Sequence, residues 1–146
     1  MSRFDPARLR AESYPFAAEV ETRFGDLDPL GHINNVAMAS LYEQGRVRFN
    51  RSFLPDHPRR ATPDIRWLVA RVDINYLAEA HFPAPVLITS GIGRIGNASW
   101  TILSAGFQDG ACVSLCDATL VYTTASGATP IPDDLRQVLE AQRFPV

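Results

Sequence analysis

The sequence predicts a single α+β domain in which an antiparallel sheet packs on one long helix. A helical spacing of apolar residues over 35–54 predicts that helix, and five segments with alternating apolar residues predict the strands. Four of these strands follow one another without a helix between them, which is typical of an antiparallel sheet. The 146 residues are enough for one domain with a sizeable core, so we expect it to span 1–146, with residues 1–14 as a polar arm.

The first strand and the long helix are predicted from a change of period. Residues 16–24 alternate loosely between apolar and polar side chains, which indicates a strand with one solvated face. From residue 35 onward the apolar stripe recurs at helical spacing and consists of Met38, Leu41, Tyr42, Gly45, Phe49 and Phe53. A glycine inside a helix costs stability relative to alanine. We therefore expect Gly45 where the helix packs closely on the sheet.

Four further strands and a short helix follow. Residues 55–63 contain three prolines and predict a loop. The strands are predicted over residues 65–77, 86–95, 99–107 and 111–123. Asp109-Gly110 is a strong hairpin signal between the last two strands. Residues 133–142 predict a short helix whose inward side chains are Leu135, Val138 and Leu139.

The connection between the first strand and the long helix carries the most polar chemistry. Asp28-Pro29-Leu30-Gly31 predicts a type I turn, and Asn34 or Asn35 is a natural N-cap for the helix. Asp28 and His32 then lie beside the unpaired N–H groups and the positive dipole end of a helix. That arrangement suits a reaction in which an oxyanion develops. An Asp-rich turn that merely caps a helix fits the spacing equally well.

Composition and charge exclude several other classes of protein. A net charge of −2 gives no electrostatic reason to expect nucleic acid or a membrane surface as partner. The apolar runs are shorter than the ~20 residues that a membrane helix needs, and residues 1–15 lack the apolar core of a signal peptide. Cys112 and Cys116 lie about 13 Å apart in one predicted strand, too far to pair, and no metal-binding spacing occurs. We expect a cytoplasmic protein without a metal site.

Two motifs resemble a known family. Residues Arg23 to Asn35, and the run Tyr42-Glu43-Gln44-Gly45-Arg46, resemble the signature of hotdog-fold acyl-CoA thioesterases of the 4-hydroxybenzoyl-CoA thioesterase type. In that family a strand ending in Arg-aromatic leads to an essential Asp, then often to Gly-His-Val-Asn-Asn, which is Gly-His-Ile-Asn-Asn here. The resemblance extends from about Phe16 to Leu139. It departs at Met38 and Ala39, where the family has an aromatic residue and Leu, and this bears on the shape of the acyl pocket.

The resemblance implies a hotdog fold, a curved sheet of about five strands wrapped around the long helix, and hydrolysis of an acyl-CoA. Asp28 matches the essential acidic position, as a nucleophile or as a base that activates water. Asn35 matches the oxyanion-hole position. His32 positions Asp28 or contacts the thioester, and a structural hydrogen bond in the turn is an equal alternative. Glu43 lies near the site or pairs with Arg46, and Asp26 is expected to be solvated.

The resemblance also implies partners. Coenzyme A is part of the substrate, so no further cofactor is expected. In the family its groove lies between two subunits, which implies a homodimer or homotetramer. The candidate contacts to the substrate and its coenzyme are Asn34, Glu43, Arg94, Asn97 and Ser99. Arg59, Arg60 and Arg71 are alternative cations for the coenzyme phosphates.

Two other functions remain open on the same fold. Hotdog hydratases and dehydratases resemble Gly-Asp-x-Asn-Pro-x-His, which residues 25–32 approach. Here Asp28 stands in place of the Asn, and His32 lies one residue too far along. A non-catalytic acyl-CoA-binding module is the other alternative. The acyl group itself, and the choice between coenzyme A and acyl carrier protein, depend on pocket walls that the sequence does not place.

Overall fold

The computed structural model describes residues 3–54 and 64–146. Its long helix, α1, spans Asn35–Phe53, and a short helix, α2, spans Asp133–Glu140. The strands are β1 (Phe16–Val20), β2 (Arg66–Tyr76), β3 (Val86–Ile95), β4 (Ser99–Gln108), β5 (Ala111–Thr124) and β6 (Gly127–Ala128). The predicted loop of residues 55–63, with Arg59 and Arg60, lies outside the described residues.

The main strands form one antiparallel sheet in the order β1-β3-β4-β5-β2, and the two-residue β6 pairs with β5. The sheet curves around α1, so the predicted α+β arrangement of about five strands and one long helix is confirmed. The hairpin between β4 and β5 turns at Asp109 and Gly110, both of which have positive φ. Such backbone angles are what an Asp-Gly hairpin turn requires.

The core lies between α1 and the concave face of the sheet. Leu41, Tyr42 and Phe49 point from the helix into it and are buried. Gly45 faces Ile88 of β3, and a Cβ added to Gly45 would lie 2.4 Å from the Ile88 Cγ2 atom. The close packing expected at this glycine is therefore confirmed.

The helix covers only part of the concave face. It packs against β1, β3 and β4, whereas β2 at the edge of the sheet remains exposed along most of its length. Val69 and Val72 of this strand are 48% and 43% exposed. A long, apolar and unpaired strand edge is a ready template for pairing with another chain.

Two segments differ from the prediction. The first strand ends at Val20 rather than near Phe24, because the chain then folds into a 3₁₀ turn at Phe24–Asp26. Residues 3–14, expected as a polar arm, pack on the convex face of the sheet through Leu9 and Tyr14, and Arg8 contacts Asp117 at 2.7 Å. Their scattered apolar side chains cover that face without any periodic pattern.

No helix in the described ranges combines the length and the hydropathy that crossing a bilayer requires.

Candidate active site

A tight turn connects the 3₁₀ segment to α1. Leu27 and Ile33 face each other as an antiparallel bridge. Between them the Asp28 amide donates to the His32 oxygen, and the Gly31 amide donates to the Asp28 oxygen, each at 2.9 Å. Gly31 has φ +82°, which a glycine adopts without strain. The predicted turn over residues 28–31 is therefore present.

The carboxylate of Asp28 uses only one of its oxygens to hold the turn. Its Oδ1 atom accepts hydrogen bonds from the amides of Leu30 at 2.9 Å and His32 at 3.2 Å. Its Oδ2 atom has no hydrogen-bond partner among the described residues, and the side chain is half-buried. The carboxylate is thus fixed in orientation while one oxygen stays available to a ligand or to water.

The start of α1 lies directly beyond this turn. Asn34 is the N-cap, and its Oδ1 atom accepts from the Ala37 amide at 2.7 Å. The first two helical amides, those of Asn35 and Val36, have no partner within residues 3–54 and 64–146. Unpaired amides at a helix N-terminus are favourable sites for negative charge. Of the two predicted caps, Asn34 takes that role, which leaves Asn35 at the first helical position.

His32 does not point its imidazole at Asp28. Its Nε2 atom lies 3.0 Å from the Glu79 Oε2 atom, and its ring meets the edge of the His81 ring at a centroid distance of 5.3 Å. Only its main-chain amide contacts the Asp28 carboxylate. Sequence reasoning missed Glu79 as a partner, because no local spacing connects two residues that lie so far apart in the chain.

Asp26 is not solvated, and that expectation was wrong. Its side chain is 3% exposed and lies just beneath the surface. The 3₁₀ turn brings the Asp26 side chain back to Arg23, the residue before the turn. The Asp26 carboxylate accepts hydrogen bonds from the amide and the guanidinium of Arg23, both at 2.9 Å. The Arg23 guanidinium holds the pKa of the Asp26 carboxyl below its usual value. Asp26 therefore has a structural role beside Asp28.

Glu43 and Arg46 do not form the ion pair that their spacing suggested. Glu43 is exposed on α1, whereas Arg46, three residues later, is buried. Within the described part of the chain neither side chain has a hydrogen bond or an ion-pair partner. Glu43 lies two helical turns beyond Asn35 and is not part of the Asp28 turn.

The hairpin with Arg94, Asn97 and Ser99 lies far from Asp28 in the same chain. Val20 pairs with Val86, so the Asp28 turn lies near the start of β3. The hairpin follows the other end of that strand, roughly 30 Å away at strand spacing. The main-chain oxygen of Gly96 in this hairpin accepts a hydrogen bond from the Arg136 guanidinium of α2 at 2.9 Å. Arg71, an alternative cation, lies 3.4 Å from Asp73 on β2.

Both thiols lack the character of a nucleophile. Burial raises the pKa of Cys116 to about 12 and also raises the pKa of Cys112. Reactive cysteines have lowered pKa values. The two thiols are therefore no candidates for a catalytic nucleophile, whereas Asp28 has a free carboxylate oxygen near unpaired helix amides.

Comparisons with known proteins identify the family and the fold. The family model of the thioesterase-like superfamily matches residues 22–139. No curated protein matches the chain. Among solved structures, a thioesterase from Thermus thermophilus, complexed with coenzyme A and Zn, is 27% identical with a TM-score of 0.79; the match covers 90% of this chain and 96% of that one.

Two further structures show the same fold. A predicted thioesterase from Bacillus stearothermophilus is 28% identical with a TM-score of 0.79, over 90% of this chain and 98% of that one. A member of the thioesterase superfamily from Jannaschia sp. is 21% identical with a TM-score of 0.83, over 92% and 96% of the two chains. The hotdog architecture implied by the sequence is thereby confirmed.

Proposed function

The chain belongs to the thioesterase-like superfamily and is a thioester hydrolase, and from this premise we propose that it hydrolyses an acyl-CoA at the Asp28 turn. The products are a carboxylic acid and free coenzyme A. The similar Thermus thermophilus thioesterase is complexed with coenzyme A, which supports this choice of carrier. Membership of the 4-hydroxybenzoyl-CoA type within the superfamily, and a cytoplasmic location, stay predictions.

One observation carries the proposal: the unpaired Oδ2 atom of Asp28 lies at the turn that leads into two unpaired helix amides. A thioester carbonyl bound here has its oxygen at the amides of Asn35 and Val36. Its carbon then faces the Asp28 carboxylate. Charge that develops on the oxygen meets the positive end of α1, which is where hydrogen-bond donors contribute most to catalysis.

Asp28 acts in one of two ways. As a base it takes a proton from water while the water oxygen attacks the carbonyl carbon. The tetrahedral oxyanion then collapses, the C–S bond breaks, and the thiolate leaves and takes up a proton. As a nucleophile, Asp28 attacks the carbon itself, the thiolate leaves, and water hydrolyses the resulting anhydride. Single-turnover hydrolysis in ¹⁸O water separates the routes, because only the nucleophilic route puts ¹⁸O into Asp28.

His32 is proposed as a substrate contact rather than as the residue that orients Asp28. Its imidazole lies against Glu79 and His81, whereas the Asp28 carboxylate is already oriented by main-chain amides. Because Nε2 lies against the Glu79 carboxylate, Nδ1 is the ring atom left for the substrate, and it donates a hydrogen bond to the thioester or to the departing sulfur when the imidazole carries both protons.

A second copy of the chain is the proposed partner. The open apolar edge of β2 is available for pairing, and Val47 on α1 is also exposed beside it. The candidate coenzyme contacts Arg94, Asn97 and Ser99 lie too far from Asp28 in one chain. A homodimer, or a tetramer built from it, allows the hairpin of one copy to meet the Asp28 site of the other.

The test is release of free thiol from a panel of acyl-CoAs by the purified protein and by Asp28→Asn. The asparagine Oδ1 atom still accepts the two amide hydrogen bonds, so the turn should keep its shape. Loss of the carboxylate should lower kcat by at least ~100-fold. Asp133→Asn, an exposed carboxylate at the start of α2, is the matched control and should hydrolyse normally.

Three outcomes would contradict the proposal. Undiminished hydrolysis by Asp28→Asn would remove Asp28 from the mechanism. Binding of acyl-CoA without turnover would identify a non-catalytic module. Addition of water to an enoyl-CoA without thiol release would identify a hydratase.

A further inference from the structure

A cavity of about 750 Å³ lies between α1 and β2, away from the Asp28 turn. Arg46 and Asn50 line it from the helix, and Trp67 and Val69 line it from the strand. It occupies the part of the concave face that α1 leaves uncovered. The mechanism proposed above uses none of these residues.

Arg46 is the unusual member of the lining. The residue is 8% exposed, yet among the described residues its guanidinium has neither a hydrogen bond nor an ion pair. The facing thiol of Cys116 supplies no anion, because burial raises its pKa to about 12. Burying a charged group without a partner is costly. A guanidinium held in this way is poised for an anion that the described residues do not supply.

Asn50 lies one helical turn after Arg46 and shares its face of α1. Its Oδ1 atom is buried without a hydrogen-bond partner. A half-turn of the carboxamide presents its N–H groups in the same direction. Arg51 and Arg66 also line the cavity, and Glu43 is the one acidic side chain of the lining. With three guanidinium groups against one carboxylate, the cavity favours a negatively charged ligand.

The cavity and the Asp28 turn lie toward opposite ends of the same helix, α1. Tyr76, at the end of β2, donates a hydrogen bond to the Asn35 oxygen at 3.2 Å, whereas the start of β2 lines the cavity. The strand thus runs alongside the helix in the opposite direction. Arg46 is eleven residues beyond Asn35, about 16 Å along the helix axis. An extended chain can therefore reach from the helix start toward Arg46.

We propose that the acyl group of the substrate ends in a carboxylate that Arg46 binds, so that the substrate is the CoA half-thioester of a medium-length dicarboxylic acid. This inference rests on the proposed function and names its substrate class. In this proposal the methylene chain lies along α1, and the guanidinium binds the carboxylate in a charge-assisted, bidentate geometry. The helix amides receive the thioester at the other end.

The experiment compares suberyl-CoA with octanoyl-CoA, which has the same chain length without the terminal carboxylate. The native enzyme should prefer suberyl-CoA by at least ~30-fold in kcat/KM, as expected for a buried charge pair. Arg46→Met should lose that preference and hydrolyse octanoyl-CoA within ~3-fold of the native rate. Arg48→Met, an exposed arginine on the same helix, is the matched control and should keep the preference.

Folding and catalysis are controlled separately. Arg46→Met should melt no lower than the native protein, because it removes an unpaired buried charge. Suberate, the free dicarboxylic acid, should raise the melting temperature of the native protein and of Asp28→Asn, but not that of Arg46→Met. This binding measurement stands even if no acyl-CoA is hydrolysed, so failure of the proposed function is distinguished from failure of this inference.

Three results would overturn the inference. If Arg46→Met lowers kcat/KM equally for suberyl-CoA and octanoyl-CoA and is no longer inhibited by free coenzyme A, Arg46 binds the coenzyme phosphates instead. If Arg46→Met lowers kcat/KM equally for both substrates and dissociates into monomers, Arg46 pairs with a carboxylate of a second copy. If suberate does not raise the melting temperature of the native protein, the proposed carboxylate-binding site does not exist.

Discussion

The main-chain oxygen of Asp26 accepts a hydrogen bond from the amide of Asn34 at 2.9 Å, so the residue that caps α1 is bonded to the short turn that precedes Asp28. The Asp26 carboxylate in turn accepts hydrogen bonds from Arg23. Asp26 and Asp28, which lie two residues apart in the sequence, therefore differ in role. Asp26 holds the backbone on both sides of the turn, and Asp28 keeps an oxygen free for chemistry.

The stability that Asp26 contributes should depend on pH. Because hydrogen bonds from Arg23 lower the pKa of its carboxyl in the folded protein, the contribution is present above the unfolded pKa of ~3.9 and is lost as the pH falls through the folded value. Asp26→Asn should thus be less stable than the native protein at pH 7. In denaturant titrations from pH 7 to pH 2 the two curves should converge in acid. A difference that stays constant over this range would contradict the ionic role of Asp26.

Asn34 should matter for both stability and rate. Asn34→Ala removes the acceptor for the Ala37 amide and should lower the free energy of unfolding by about 1 kcal/mol. It should also lower kcat, because the neighbouring amides of Asn35 and Val36 lose their fixed direction. Asn34→Asp keeps the cap and is the control for stability. Equal stability of Asn34→Ala and the native protein in chemical denaturation would show that the cap is dispensable.

The features that the sequence predicted correctly depend on residues close together in the chain. The turn at Asp28, the start of α1 and the hairpin at Asp109 each follow from preferences of a few adjacent residues for particular backbone angles and caps. The close approach at Gly45 is a partial exception, since the glycine indicates tight packing without naming Ile88 as the neighbour.

The features that it missed depend on contacts between distant segments. His32 meets Glu79 because Ile33 and Ala80 share a hydrogen bond, and nothing local to either segment indicates that pairing. Arg46 does not pair with Glu43, although both line the same cavity; Arg46 is buried, whereas Glu43 is exposed. A spacing of three residues allowed the ion pair but did not require it.

Gly45→Ala should destabilise the protein although alanine favours helices. The added Cβ would lie 2.4 Å from Ile88 Cγ2 and 2.9 Å from Ile88 Cβ. A β-branched side chain on a central strand cannot move away easily, so we expect a steric cost of about 1–3 kcal/mol. Set against the ~1 kcal/mol gained in helix propensity, this leaves a net loss of up to ~2 kcal/mol. Gln44→Ala, on the exposed face of the same helix, is the control and should change stability by less than ~0.5 kcal/mol. An equal or raised melting temperature for Gly45→Ala would show that α1 can shift away from the sheet.

The edge of β2 should determine the oligomeric state. If a second copy covers it, Val72→Lys places a charge in that interface, and lysine on an edge strand is a known obstacle to pairing. We expect the native protein to sediment as a dimer or tetramer and Val72→Lys to shift toward monomer. Thiol release should fall in parallel, because the hairpin that carries Arg94 would no longer reach the Asp28 site of the other copy. Val146→Lys, an exposed apolar residue at the end of the chain, is the control and should leave the assembly intact. A native protein that is monomeric and fully active would show that one copy completes the site alone, and the hairpin would then have no part in binding the coenzyme.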